Sequence, residues 1–479
     1  MLRVALALGS LLALACSSAP SGVSPHHDDA GGAVASAIEA GFLDVPSRDV
    51  TLKGQPVHIA ADARLFYNFR AADEHPETRP VIFLFNGFAA EIVRAFGTGP
   101  TTVAEGGAVV PNPASLARFA NLVYLEPRQA GYSYDVARGR APAPSDCASA
   151  IFNEYVDAAD VLFAALAFLD AHPALRGPVY WLGESYAGVR VTWILAYLRG
   201  RWDLASYSDP ALAARIAGVH RASSLHAGQI LLEAWLAGGA HAAAIDRACS
   251  DAFELAAVSA SVGAPCAGSS ACDCAASHDR SAYNFAFTNA QQTARETEAS
   301  LAHVLPDRAA ALLGVPLTAI AGLGAAERAT GFKCSTPDAS VPAQDALVGA
   351  LGALPPGQSY YVPYSPLLPG KETAPTTLDW RTASFEGVAF VDNLHEVPAF
   401  STDGRLDLVV PARALAPALG AVVGADRVDV VSPTRLGVRY GDGERFITIG
   451  TYASAGHMVT MLAADAFARD LETWLASNP

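Results

Sequence analysis

The sequence predicts an α/β fold with a mostly parallel central sheet, helices on both faces and an inserted, mainly helical lid. Three observations carry that prediction. Short apolar runs alternate with helical stretches from Val57 to Leu198, the pattern of a parallel sheet with crossover helices. An Ala-rich stretch holding most of the cysteines breaks the alternation between residues 209 and 380. Strands then resume and the chain closes on an amphipathic helix, which favours an insertion over a second independent domain.

The 479 residues are 51% hydrophobic and 16% charged, a globular composition long enough for about three domains. A net charge of −15 argues against a nucleic-acid partner. Arg3 precedes the apolar run Val4–Leu14, which is too short to span a bilayer and reads as a signal segment ending in Ala15-Cys16. That ending resembles a bacterial lipobox, so the expectation is export to the cell envelope with a lipid anchor at Cys16; the alternative is plain signal cleavage nearby. Residues 1–16 are thus assigned to the signal and 17–50 to a flexible tether rich in Ser, Pro, Gly and Asp. His26-His27-Asp28-Asp29 reads as solvated tail rather than a metal site. Six cysteines remain: Cys147, Cys249, Cys266, Cys272, Cys274 and Cys334. An even number in an exported chain points to disulfides, mostly stapling the insertion. Cys272-x-Cys274 lacks the second ligand pair a zinc site needs, and no metal or other cofactor is expected.

The core is assigned to 51–208 and 381–479, and the helical, Cys-containing cap to 209–380. Val57–Phe69 reads as one or two strands, Glu74–Pro80 as a polar turn, Val81–Phe85 and Leu122–Leu125 as buried strands, and Asn153–Asp170 as a helix. Pro178–Leu182 is a buried strand that breaks at Gly183 and leads into the helical stretch Val189–Leu198. After the cap, strands are expected at Val391–Phe400, Val428–Val431 and Phe446–Ile449. The last helix, Ala463–Leu475, aligns Phe467, Leu471 and Trp474 on one face.

The chemistry is expected at Gly183-Glu184-Ser185-Tyr186-Ala187-Gly188. A strand, a tight turn with a central Ser and a helix make the layout of a nucleophile elbow, which lifts the Ser185 hydroxyl out of the sheet. The Tyr186 backbone N–H and the helix N-terminus point at the same place. A serine needs a base, and the base an orienting acid. Asp407 follows a strand in Gly404-Arg-Leu-Asp-Leu-Val-Val-Pro411, and His457 follows the last strand in Ala455-Gly-His-Met458. The order Ser185, Asp407, His457 is that of the α/β-hydrolases. Asp403 is the rival acid, disfavoured by the spacing. The turn Asn86-Gly87-Phe88, after an early strand, is placed to supply the second oxyanion donor from the Phe88 N–H.

These residues resemble the serine carboxypeptidases. Gly183–Gly188 matches the signature around their nucleophile, and Ala455-Gly-His-Met-Val459 the one around their histidine. Phe66-Tyr-Asn-Phe69, Pro80–Gly87, Asn121–Leu125 and Gly131-Tyr-Ser-Tyr134 look like their intervening landmarks. The resemblance covers about 60–200 and 390–479. It implies an α/β-hydrolase fold with a helical cap, and release of a C-terminal amino acid through an acyl-enzyme at acidic pH. It also implies that Glu184 and Asn86, with Gly87 beside them, bind the substrate's terminal carboxylate. A carboxylate sits beside a Glu only if one of them carries a proton.

The departures lie in that clamp. The family's Gly-Gly-Pro-Gly-Cys-Ser-Ser is here Gly87-Phe88-Ala89-Ala90-Glu91-Ile92-Val93, and its second carboxylate-binding Glu falls near Gly97. Its Asn-Gly after the next strand is replaced, around His220–Ser224. The reading is therefore a serine carboxypeptidase-like hydrolase acting on a peptide or acyl substrate. The alternatives are a serine esterase or acyltransferase on the same scaffold, and a non-catalytic anchored binding protein.

Overall fold

The computed structural model describes residues 38–87, 93–104, 107–137, 139–141, 153–219, 224–234, 306–315, 331–332, 385–404, 414–441 and 443–478, and the single residues 143, 146, 236, 244, 407 and 410. The signal segment, Cys16, the six other cysteines and most of the expected cap lie outside the described residues, as do Phe88 and Glu91.

Four strands come first: β1 (Ile38–Val45), β2 (Arg48–Leu52), β3 (Gln55–Ile59) and β4 (Asp62–Arg70). β5 (Val81–Phe85) precedes the short pair β6 (Thr101–Val103) and β7 (Val109–Pro111), then β8 (Asn121–Leu125) and β9 (Tyr134–Val136). β10 (Val179–Glu184), β11 (Tyr207–Ser208), β12 (Gly228–Leu232) and β13 (Gly331–Phe332) follow. β14 (Ala399–Gly404), β15 (Val428–Ser432), β16 (Arg435–Tyr440) and β17 (Gly443–Tyr452) complete the strands. The helices are α1 (Glu154–Ala171), α2 (Ala187–Leu198), α3 (Pro210–Ala217), α4 (Pro306–Leu313), α5 (Phe385–Asn393), α6 (Leu415–Val423), α7 (Val459–Leu462) and α8 (Ala464–Ser477).

The large sheet is mixed. Its centre, in the order β8-β5-β10-β12-β14-β17, is parallel throughout. Antiparallel strands flank it, β4 with β1 and β9 on one side and β16 with β15 on the other. Every residue of β5, β8, β10 and β12 is buried, as expected of parallel strands covered on both faces. Alternate residues feed two cores. Phe83, Phe85 and Trp181 face α1, α2 and α5, where the Phe83 and Trp181 rings stack at 4.9 Å. Ile82, Leu84, Tyr180 and Leu182 face α8 through Phe467, Leu471 and Trp474. α1 starts where Asn153 caps it, its side chain accepting from the Tyr155 and Val156 N–H groups.

Four expectations need correction. Residues 38–50 are not tether: β1 pairs with β4 along its whole length, and β2 with β3. The core does not stop at 208, because β12 lies in the middle of the sheet between β10 and β14; the next strand of the large sheet after the elbow is Gly228–Leu232, beyond His220–Ser224 rather than before it. Val391 belongs to α5 and the strand starts only at Ala399. There the run Gly387–Val391 reads equally well with either period, and burial against α2 fixes it as helix, with Asn393 Nδ2 donating to Thr192 O at 2.9 Å. β16 was not anticipated; it forms a hairpin with β17, and Leu436, Gly437 and Val438 are buried between the exposed Arg435 and Arg439.

Candidate active site

Ser185 stands where β10 ends and α2 begins. Its φ of +57° puts a non-glycine residue in the left-handed region, a conformation that costs about 1–3 kcal/mol and persists only where the surroundings enforce it. The enforcing contacts are local. The Ser185 N–H donates to Leu232 O at 2.9 Å, tying the turn to β12, and Ser185 O accepts from the Gly188 N–H at 3.0 Å. Gly183 is required: a Cβ there would lie 2.5 Å from Ala187 O. The side chain of Ser185 sits in a half-buried position while its neighbours Glu184 and Tyr186 are buried.

The Asn86-Gly87 turn at the carboxyl end of β5 lies directly against this elbow. A Cβ on Gly87 would approach the Tyr186 N to 3.4 Å, so the turn lies against the N-terminus of α2. Asn86 Nδ2 donates to Glu184 Oε1, and both residues are buried. Behind them Arg190, fully buried, donates from Nη1 to Asn86 O at 2.9 Å and from Nε to Asp157 Oδ2 at 2.8 Å. Its guanidinium also lies over the Phe85 and Tyr186 rings. Arg190 thus fastens the Asn86 turn to α1 and α2.

Asp407 and His457 meet at the carboxyl ends of β14 and β17. His457 Nδ1 lies 3.0 Å from Asp407 Oδ2. Asp407 is fully buried and His457 keeps 15% of its side chain exposed. The Asp407 carboxylate also accepts from the Val410 N–H, and its own N–H donates to Gly404 O at 2.8 Å. Asp403, the rival acid, lies within β14 itself. The two turns are packed through Gly404, where a Cβ would fall 2.1 Å from Gly456 O.

Sequence reasoning did not single out Arg190, or Glu233 at the end of β12. Glu233 is buried, with φ +42°. Its Oε1 accepts from Thr402 Oγ1 at 2.9 Å and from the Gly404 N–H at 3.1 Å, and its own N–H donates back to Thr402 Oγ1 at 3.2 Å. Burial, reinforced by Asp407, Glu184 and Asp403 nearby, pushes its carboxyl well above the usual carboxylate range. The available signal was its place, directly after a strand of the parallel centre, where open α/β sheets carry their sites. The resemblance puts the family's second clamp Glu near Gly97. The Gly97 φ is +118° and a Cβ would meet Thr460 O at 2.4 Å, so no side chain fits there. Among the described residues no group of His, Cys, Asp and Glu is arranged to hold a metal ion.

The arrangement places Ser185, the Asn86-Gly87 turn and the His457–Asp407 pair at the carboxyl ends of the parallel strands β10, β5, β14 and β17. The model of the serine carboxypeptidase family matches the segment that carries the elbow and the Asn86 turn. The match spans residues 41–201. No curated protein matches the chain by sequence. Among solved structures the chain is similar to the prohormone-processing carboxypeptidase Kex1 of Saccharomyces cerevisiae, with TM-score 0.52 and 11% identity over 92% of this chain and 91% of that one. It also matches an esterase from Rhodococcus sp. (TM-score 0.33, 14% identity, 90% and 99% covered) and a haloalkane dehalogenase variant from Bradyrhizobium elkanii (TM-score 0.39, 11% identity, 92% and 98% covered). The fold is that of the α/β-hydrolases.

Proposed function

We propose that the chain releases C-terminal residues from peptides through an acyl-enzyme formed on Ser185. The observation that supports this most is Ser185 held at positive φ on the elbow, inside the segment that matches the serine carboxypeptidase family. In this reading His457 takes the Ser185 proton as the hydroxyl attacks the scissile carbonyl, and Asp407 steadies the imidazole through Nδ1. The oxyanion is held by the Tyr186 N–H and, in the expected role, that of Phe88; each such donor is worth roughly 3 kcal/mol of barrier. His457 returns the proton to the leaving amine, and water then opens the ester by the same path. Glu184 with Asn86 receives the terminal carboxylate. In this reading the chain is exported and anchored through Cys16; loss of lipid labelling in Cys16→Ser tests the anchor.

The test of the reaction is a peptide offered with a free and with an amidated C-terminus. Stepwise trimming of the first and resistance of the second is the expected result; equal turnover of both overturns the exopeptidase assignment. Gly97 favours a second reading, an esterase or acyltransferase, because the clamp cannot hold its second Glu there. Short acyl esters turned over with no peptide trimmed at any pH would select it.

A further inference from the structure

We propose that Glu233 is a positioning residue that sets the Asp407–His457 pair through Gly404. This rests on the serine-hydrolase reading above.

The connection is continuous. Glu233 Oε1 accepts the Gly404 N–H and the Thr402 hydroxyl. Gly404 O accepts the Asp407 N–H, and Gly404 itself packs under Gly456 O, one residue before His457. A single residue thus holds the acid's turn through its carbonyl, gives its N–H to Glu233 and packs against the base's turn. β14 and β17 run in register at this point, Gly404 opposite Tyr452. Moving Gly404 moves both partners of the pair.

Glu233 has no other evident task. It is 2% exposed, so it does not solvate a surface. Its Oε2 is buried and makes no hydrogen bond among the described residues. The groups that face it are acids, Asp407 first, then Glu184 and Asp403, with the Tyr452 phenol on β17. A second negative charge here would repel the Asp407 carboxylate and leave a buried anion unpaired. The neutral acid avoids both and still offers Oε1 as acceptor. Its left-handed backbone, at the strand end beside Ser185's own anchor Leu232, is a second strained residue in the same small region.

The test reads the rate at which a fluorophosphonate labels the full-length protein. In that reaction the Ser185 Oγ–P bond forms, the P–F bond breaks, fluoride leaves and the hydroxyl proton passes to His457. Glu233→Gln keeps an acceptor at Oε1 without a charge and is expected to label within threefold of the parent across pH 5–9. Glu233→Ala is expected to label at least tenfold more slowly, since small misplacements of catalytic groups cost up to about 100-fold. Should Glu233→Ala fail to fold, Thr402→Val, which removes one donor to Oε1, is expected to show an intermediate loss. Parental rates in both Glu233→Ala and Thr402→Val overturn the proposal, and so does a Gln variant as slow as the Ala variant or with a displaced pH profile. A parent that takes no label overturns the hydrolase reading instead; histidine NMR then decides the placement, with an unchanged His457 signal in Glu233→Ala counting against it and a shifted signal for it.

Discussion

Two groups of buried carboxyls in this molecule are treated in opposite ways. Beneath β2, β9 and α1, the acids are answered by guanidinium groups. Arg48 meets Asp160 at 2.7 Å and Asp209 at 2.5 Å, and Arg128 meets Asp160 at 2.6 Å and Asp135 at 2.8 Å. There the two arginines hold the Asp160 carboxyl below its usual range despite complete burial, whereas burial pushes Asp135, which meets one arginine, Arg128, up to about 6. At the carboxyl ends of the parallel strands, Glu233 instead faces Asp407, Glu184 and Asp403, and its carboxyl is pushed up. Charge matching marks a scaffold, where satisfied ion pairs fix geometry. Acids crowded against one another at strand ends mark a place where protonation states are put to use.

The comparison can be broken at its largest effect first. His457→Ala should slow fluorophosphonate labelling by at least 1,000-fold and leave the melting temperature nearly unchanged; a loss below tenfold would remove His457 from the chemistry. In the scaffold, Asp160→Ala strips a carboxylate from two buried arginines at once. Breaking such a pair costs about 3–5 kcal/mol, to be read as a lowered urea midpoint, while the folded fraction should label at the parental rate. A large labelling defect with intact stability would erase the distinction between the two groups.

Arg190 stands between them, since it pairs with Asp157 yet holds Asn86 O. Arg190→Lys keeps the charge but not the two-pronged geometry. About a tenfold fall in labelling, with stability lowered by roughly 1–2 kcal/mol, would place it with the site; a stability loss alone would place it with the scaffold.

What the residues disclosed and what they hid follows the same division. β5, β8 and β10 were legible as unbroken apolar runs, and the Ser185 turn as small residues around one polar side chain, because both signals are local. Asp407 and His457 were legible from their turns. β12 was hidden, since Gln229 interrupts its apolar run and nothing in its composition separates it from the Ala-rich stretch that follows. With β12 misplaced, Glu233 had no strand end to belong to. Arg190 was hidden because its partners Asp157 and Asn86 are 33 and 104 residues away, a pairing that only the packing of α1 on α2 creates.

A smaller effect sharpens the contrast through pH. The folded-state carboxyl of Glu233 is raised, so its stabilising contribution is complete below about pH 4.3, the ordinary range of the unfolded group, and drains away as pH rises through the folded value. Glu233→Gln removes that dependence. Relative to the parent, the variant should gain stability steadily from pH 5 to pH 8 in urea titrations. A difference that is flat with pH, or of the opposite slope, would mean that Glu233 is ionised in the folded protein.

The most direct measurement is to label the protein with a fluorophosphonate, digest it and locate the adduct by mass spectrometry. The account predicts one adduct, on Ser185, absent from Ser185→Ala. No adduct on the folded parent, or an adduct elsewhere that survives Ser185→Ala, would contradict it.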